Sequence, residues 1–186
     1  QERKLEVEVA RWARGEILAA LQNAHPYEEV AYDLYPVKQK NSRAGLGALG
    51  HLHEPMPLSA FLERVASRLN ADSLRYAGDP DALVERVAVC GGAGSDFIGT
   101  ARRAGADAYV TADLTYHQFF DVLAPDGTPQ MALIDPGHYE TEALTEKLLQ
   151  DWLQARFEGV EWHRTATTTS PMRTFVPAED AGRDSS

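Results

Sequence analysis

Between residues 84 and 157 one pattern occurs three times: a short apolar run, then a segment of helix length. Val84 to Cys90 is strongly β-branched, Asp107 to Thr111 reads as a buried strand, and Gln130 to Asp135 is a third. Helices are expected over about Asp96–Ala104 and Thr115–Leu123, and from Gly137 to about Phe157. Consecutive strand–helix units demand a mostly parallel sheet, because each crossover helix must pack back on a sheet face. The predicted fold class is therefore α/β, a mostly parallel sheet with helices on both faces. In such sheets, chemistry sits at the carboxyl ends of the strands. Three loops qualify: Gly91–Ser95, Thr111–His117 and Asp135–Glu142.

Upstream, Lys4–Ala10 and Glu29–Val37 alternate apolar and polar residues as half-buried strands do, with a helix over Gly15–Asn23 between them. His25-Pro26 stops that helix. Residues 38–45 are polar, positive and end in glycine, the composition of a linker. Leu46–Leu52 then reads as a glycine-punctuated strand, Pro57 as the start of a helix to about Leu69, Ser73–Tyr76 as a short strand, and Val160–His163 as an edge strand. The expected division is 1–40, 41–176, and a charged, disordered tail over 177–186. The chain starts at Gln1 and runs directly into a strand pattern, which fits a trimmed or partial chain or, as the bland alternative, simple removal of the initiator or a tag.

Lysine and arginine number 18 and aspartate and glutamate 28, a net charge of −10. That argues against general binding to DNA or RNA and against an anionic membrane face. No apolar run approaches the ~20 residues of a membrane span, and no secretory leader is visible. The single cysteine, Cys90, excludes an internal disulfide. These features predict a cytoplasmic protein.

Two loops carry an imidazole and a carboxylate four residues apart. His138 and Glu142 share one face of the last helix and would make half of a site for zinc, manganese or iron. The bland alternative is a helix start favoured by acidic residues. Asp113 and His117 could be ligands, a pair that orients ligands, or an acid/base pair; alternatively Asp113 caps a helix and His117 packs. Parallel topology would bring the two loops together. Gly91-Gly92-Ala93-Gly94-Ser95 reads as a tight turn or a modest phosphate cradle, with Ser95 available as a helix cap. Phe97 stands where a dinucleotide fingerprint needs its third glycine, which argues against a Rossmann cofactor site. Cys90 reads as an inert thiol. His51 and His53 could pair on a strand face, but Glu54-Pro55 favours an exposed turn; Glu28 and Glu29 read as solvated charge.

Taken in order, Ala24–Asp33 with its His-Pro-Tyr-Glu-Glu core, Gly45-Leu46-Gly47 with Gly50, Val87–Ser95, Asp107–His117 and Asp135–Glu142 resemble the Nif-three-like dinuclear metal-centre proteins, also called GTP cyclohydrolase I type 2 homologues. The resemblance covers nearly the whole chain to about residue 176. It implies two similar α/β halves enclosing two divalent metal ions, hexameric rings, and an inserted ferredoxin-like, PII-like domain to which the His-Pro-Tyr-Glu-Glu segment belongs. It assigns metal ligands to His138 and Glu142, in Gly137-His138-Tyr139-Glu140-Thr141-Glu142, and places Asp113 and His117 along the same cavity. Ala112 stands where glycine is common. The histidine pair and aspartate of the family's first half have no counterpart here, so the partner expected is the N-terminal half of the same protein.

Two functions follow as expectations. One is a metal-dependent hydrolase, GTP cyclohydrolase-like, acting on a nucleotide or small anion, with Asp113 or His117 moving the proton. The other is a non-catalytic ring-forming scaffold or a module sensing a cation or metabolite. Either way, this chain alone would bind metal weakly or not at all.

Overall fold

The structure is a computed structural model describing residues 4–38 and 45–175. The linker expected over 38–45 and the tail expected over 177–186 lie almost wholly outside the described residues. The chain divides into two compact units, 1–42 and 43–186.

The first unit holds a short 3-10 turn at Arg11–Ala13 and helix α1, Arg14–Ala24. The helix ends at His25, whose extended backbone (ψ 137°) is what the following proline requires. Neither expected strand forms: residues 4–10 and 29–37 have no ladder partner. Leu5, Val7, Tyr32, Leu34 and Val37 are all exposed. Alternation makes a strand only where an edge and a core receive it, and a piece this short supplies neither.

The second unit is the α/β body. Strands β1 (Ala48–Pro57), β2 (Arg75–Ala77), β3 (Leu83–Ala93), β4 (Ala108–Ala112) and β5 (Ala132–Asp135) form one sheet in the order β1-β3-β4-β5-β2. β3, β4 and β5 are parallel, with Val87 opposite Ala108 and Ala108 opposite Ala132. The two edges, β1 and β2, are antiparallel. The sheet is therefore mixed around a parallel core.

Burial explains the order. All five residues of β4 and all four of β5 are buried, as central parallel strands covered on both faces must be. Side chains alternate between two cores. Ala108, Val110, Ala132 and Ile134 pack with Leu58, Phe61 and Val65 of helix α2 (Leu58–Leu69). Tyr109 and Leu133 pack on the other side with Ile98 and Ala101 of helix α3 (Ile98–Arg103). Helix α4, His138–Gln154, contacts β3, β4 and α2.

Several local expectations are corrected. β1 runs through His51, His53, Glu54 and Pro55 instead of turning there, with a register shift between His51 and Met56. An edge strand tolerates proline, which lacks a donor, where the ladder is irregular. β3 continues past Cys90 through Gly91-Gly92-Ala93. Ser95 makes no side-chain cap; it opens a 3-10 turn, Ser95–Phe97. The segment after Asp113 is a 3-10 helix, Tyr116–Val122, not an α-helix. Residues 160–163 form no strand. No helix among the described residues is long and apolar enough to cross a membrane.

Candidate metal centre

The three parallel strands deliver three loops to one edge, and the loops touch. At the end of β3 the ladder with β4 slips between Val89 and Ala93, with Ala93 opposite Ala112. Such a bulge bends a strand and re-aims what it carries. Here it turns Gly92 into the left-handed region (φ 63°) and presents its backbone to α4. The Gly92 N–H donates to Thr141 Oγ1 at 2.9 Å, and its carbonyl accepts from Thr111 Oγ1 at 3.1 Å. Thr111 and Thr141 are both buried. Of the phosphate cradle expected over Gly91–Ser95, the Gly92 amide is thus already committed to the protein.

His138 opens α4. Its Nδ1 lies 2.7 Å from Asp113 Oδ2, and its Nε2 lies 3.3 Å from Glu142 Oε2, one helical turn along. The three side chains are about half exposed. A hydrogen bond from the imidazole to Asp113, then the charges of Asp113 and Glu142, hold the His138 imidazolium above the ordinary histidine range.

Asp113 itself has φ 56°, a left-handed backbone that aspartate tolerates better than most residues. It does not cap the following turn. Thr115 does, in a reciprocal capping box with Gln118.

The sequence placed Asp113 beside His117; the fold gives Asp113 to His138 instead. His117 is exposed, its ring edge-on to Tyr116 at 5.4 Å, and it hydrogen-bonds to none of the cluster among the described residues.

Sequence reasoning passed over Asp135. Its buried carboxylate accepts the Gly137 N–H on Oδ1 and the Leu114 N–H on Oδ2, each at 3.1 Å, and Oδ2 also meets Arg75 Nη2 at 2.5 Å. The signal available was an aspartate as the last residue of a central strand.

The donor set suits a borderline divalent ion. Two ligands each about 2.1 Å from such an ion stand about 3 Å apart, close to the Nε2–Oε2 spacing. An imidazole whose other nitrogen bonds a carboxylate is the usual arrangement behind a metal-bound histidine. Glycine at 92 makes the room: a Cβ there would lie 2.5 Å from Glu142 Oε1 and 3.3 Å from His138 Cε1. The set is partial. Among the described residues no three His, Cys, Asp or Glu groups converge as a full ligand set. His51 and His53 lie exposed on edge strand β1.

Fold and site together define an α/β protein with a histidine–carboxylate pair at the start of its last helix, beside the carboxyl end of a parallel core. The profile of the Duf34/NIF3 (NGG1p interacting factor 3) family matches residues 8–171, and the chain belongs to that family. A Bacillus subtilis protein named GTP cyclohydrolase 1 type 2 homolog is 40% identical over 164 residues, 86% of this chain and 42% of that protein. A Mycobacterium tuberculosis protein of the same name is 44% identical over 143 residues, 76% of this chain and 37% of that protein. A crystal structure of a Bacillus cereus protein related to NIF3 superposes with a TM-score of 0.71 at 36% identity, over 90% of this chain and 46% of that one. The chain spans less than half the length of each of these three relatives.

Proposed function

We propose that this chain supplies half of a divalent-metal centre in a metal-dependent hydrolase acting on a nucleotide or other small anion. His138 Nε2 and Glu142 are the metal ligands. Asp113 fixes the imidazole through Nδ1, leaving Nε2 to face the ion. The single observation that carries this reading is the Asp113–His138–Glu142 alignment, with Gly92 clearing the space beside it. The family name borne by its relatives supports a nucleotide substrate. Zinc, iron or manganese fits one nitrogen and one carboxylate.

A divalent ion held there supplies a Lewis acid and acidifies its bound water. The chain's own contribution is to hold Nε2 and the Glu142 carboxylate side by side. In this reading the Asp113 carboxylate takes up the proton and solvent-exposed His117 exchanges it with bulk water, without a direct bond between the two among the described residues. In this reading the remaining ligands come from residues outside this chain.

Titrating the chain with Co2+ by calorimetry tests the reading. Weak binding abolished by His138→Ala and by Glu142→Ala, and unaffected by His117→Ala, is the expected result. Binding that survives both ligand substitutions would reject it.

A second reading, a non-catalytic ring-forming scaffold, is favoured by one observation. Leu144, Leu148 and Trp152, spaced one turn apart on α4, are each at least 40% exposed. Retention of the cellular role in a His138→Ala strain, with loss in a Leu148→Glu strain, would favour it.

A further inference from the structure

We infer that Asp135 is the positioning residue of this site: one buried carboxylate that sets Asp113 and His138 in register, with Arg75 as its counter-ion. The inference deepens the metal reading and rests on it.

The geometry is specific. Asp135 ends β5 with its side chain 4% exposed. Its Oδ1 takes the N–H of Gly137, the residue before His138, and its Oδ2 takes the N–H of Leu114, the residue after Asp113. The two side chains that bond at 2.7 Å are thus each one residue from an amide tied to the same carboxylate.

Arg75 Nη2 reaches both Asp135 Oδ2 and the Leu114 carbonyl, at 2.9 Å for the latter, so it closes the clamp on the Asp113 side. Arg75 and Asp135 face each other across the β2–β5 ladder. A buried carboxylate with one cation and two amide donors is fully satisfied, which makes its position well determined. Among the described residues it hydrogen-bonds to neither the Asp113 nor the His138 side chain, so it acts through the loops. Asparagine there could accept only one of the two amides and would lose the ion pair.

The test uses the 186-residue chain with Co2+ as probe. Asp135→Asn, and Arg75→Gln at a mostly exposed position, are compared with the parent chain and with His138→Ala. Expected is a ten- to hundredfold loss of Co2+ affinity in Asp135→Asn and a smaller loss in Arg75→Gln, with far-UV circular dichroism unchanged and the His138 ring 15N shifts displaced in both. Wild-type affinity in Asp135→Asn, or His138 shifts unchanged in both variants, overturns the inference.

A metal-free readout separates this from failure of the metal reading itself. If His138→Ala binds Co2+ as the parent does, the metal reading falls. The clamp is then judged by the His138 ring 15N shifts, which report its bond to Asp113. Displaced shifts in Asp135→Asn or Arg75→Gln sustain it, and unchanged shifts in both overturn it.

Discussion

At Gly92 the backbone and the site make one demand. The residue adopts φ 63°, and the direction a side chain would take is filled by the Glu142 carboxylate. Gly92→Ala therefore meets both strain and a clash with a candidate ligand. A loss of about 1–3 kcal/mol is expected from the backbone conformation, measured by urea denaturation, together with displacement of Glu142. Tyr109 gives a second residue-scale test. It is 2% exposed, and its hydroxyl donates to the Gly94 carbonyl at 2.7 Å. Burial, opposed by a hydrogen bond with Thr111 and aided by the neighbouring Cys90, pushes its pKa from 10.0 up to about 12. An unfolded chain releases this proton first, so the stabilisation is complete below pH 10.0 and is lost as pH rises through about 12. Ultraviolet difference titration should find one tyrosine ionising after the others, and Tyr109→Phe should abolish that late step.

Helix α2 shows how an element is held. Leu58, Phe61 and Val65 fall on one stripe and are all buried against β4 and β5. Leu58 is fully buried, and its side chain also approaches Gly78, where a Cβ would sit 2.7 Å away. Leu58→Ala is expected to cost about 2–5 kcal/mol, read as a lower urea midpoint at constant slope. The site should keep its geometry if the variant folds, because α2 lies under the sheet and contributes no group to the His138 cluster. Helix α4 differs: its first two turns carry His138 and Glu142, while Leu144, Leu148 and Trp152 further along stay exposed.

The two units of the whole molecule differ in kind. Residues 43–186 contain both cores, the complete sheet and every group of the candidate site. The first unit has no buried residue in α1 or in the flanking turn. A chain of residues 43–186 is therefore expected to unfold cooperatively on heating. A peptide of residues 1–42 is expected to show little helix by circular dichroism, since eleven helical residues are marginal without packing. A cooperative transition in the short peptide would contradict this.

What the sequence by itself determined were the features set by short-range periodicity and spacing. The β-branched runs marked β3 to β5, the stripe of α2 marked its buried face, and one helical turn between His138 and Glu142 put them on one side of α4. Only the tertiary structure decided which side chains from different loops meet. Asp113 went to His138 instead of to His117 because parallel pairing of β4 and β5 brings their ends together, while the capping box at Thr115 starts a 3-10 turn that carries His117 outward. Asp135 gained its importance in the same way, through amides 21 and two residues distant in sequence. The strand patterns of the first unit failed for the converse reason: alternation is a local property, but a strand exists only where a neighbouring edge completes its hydrogen bonds.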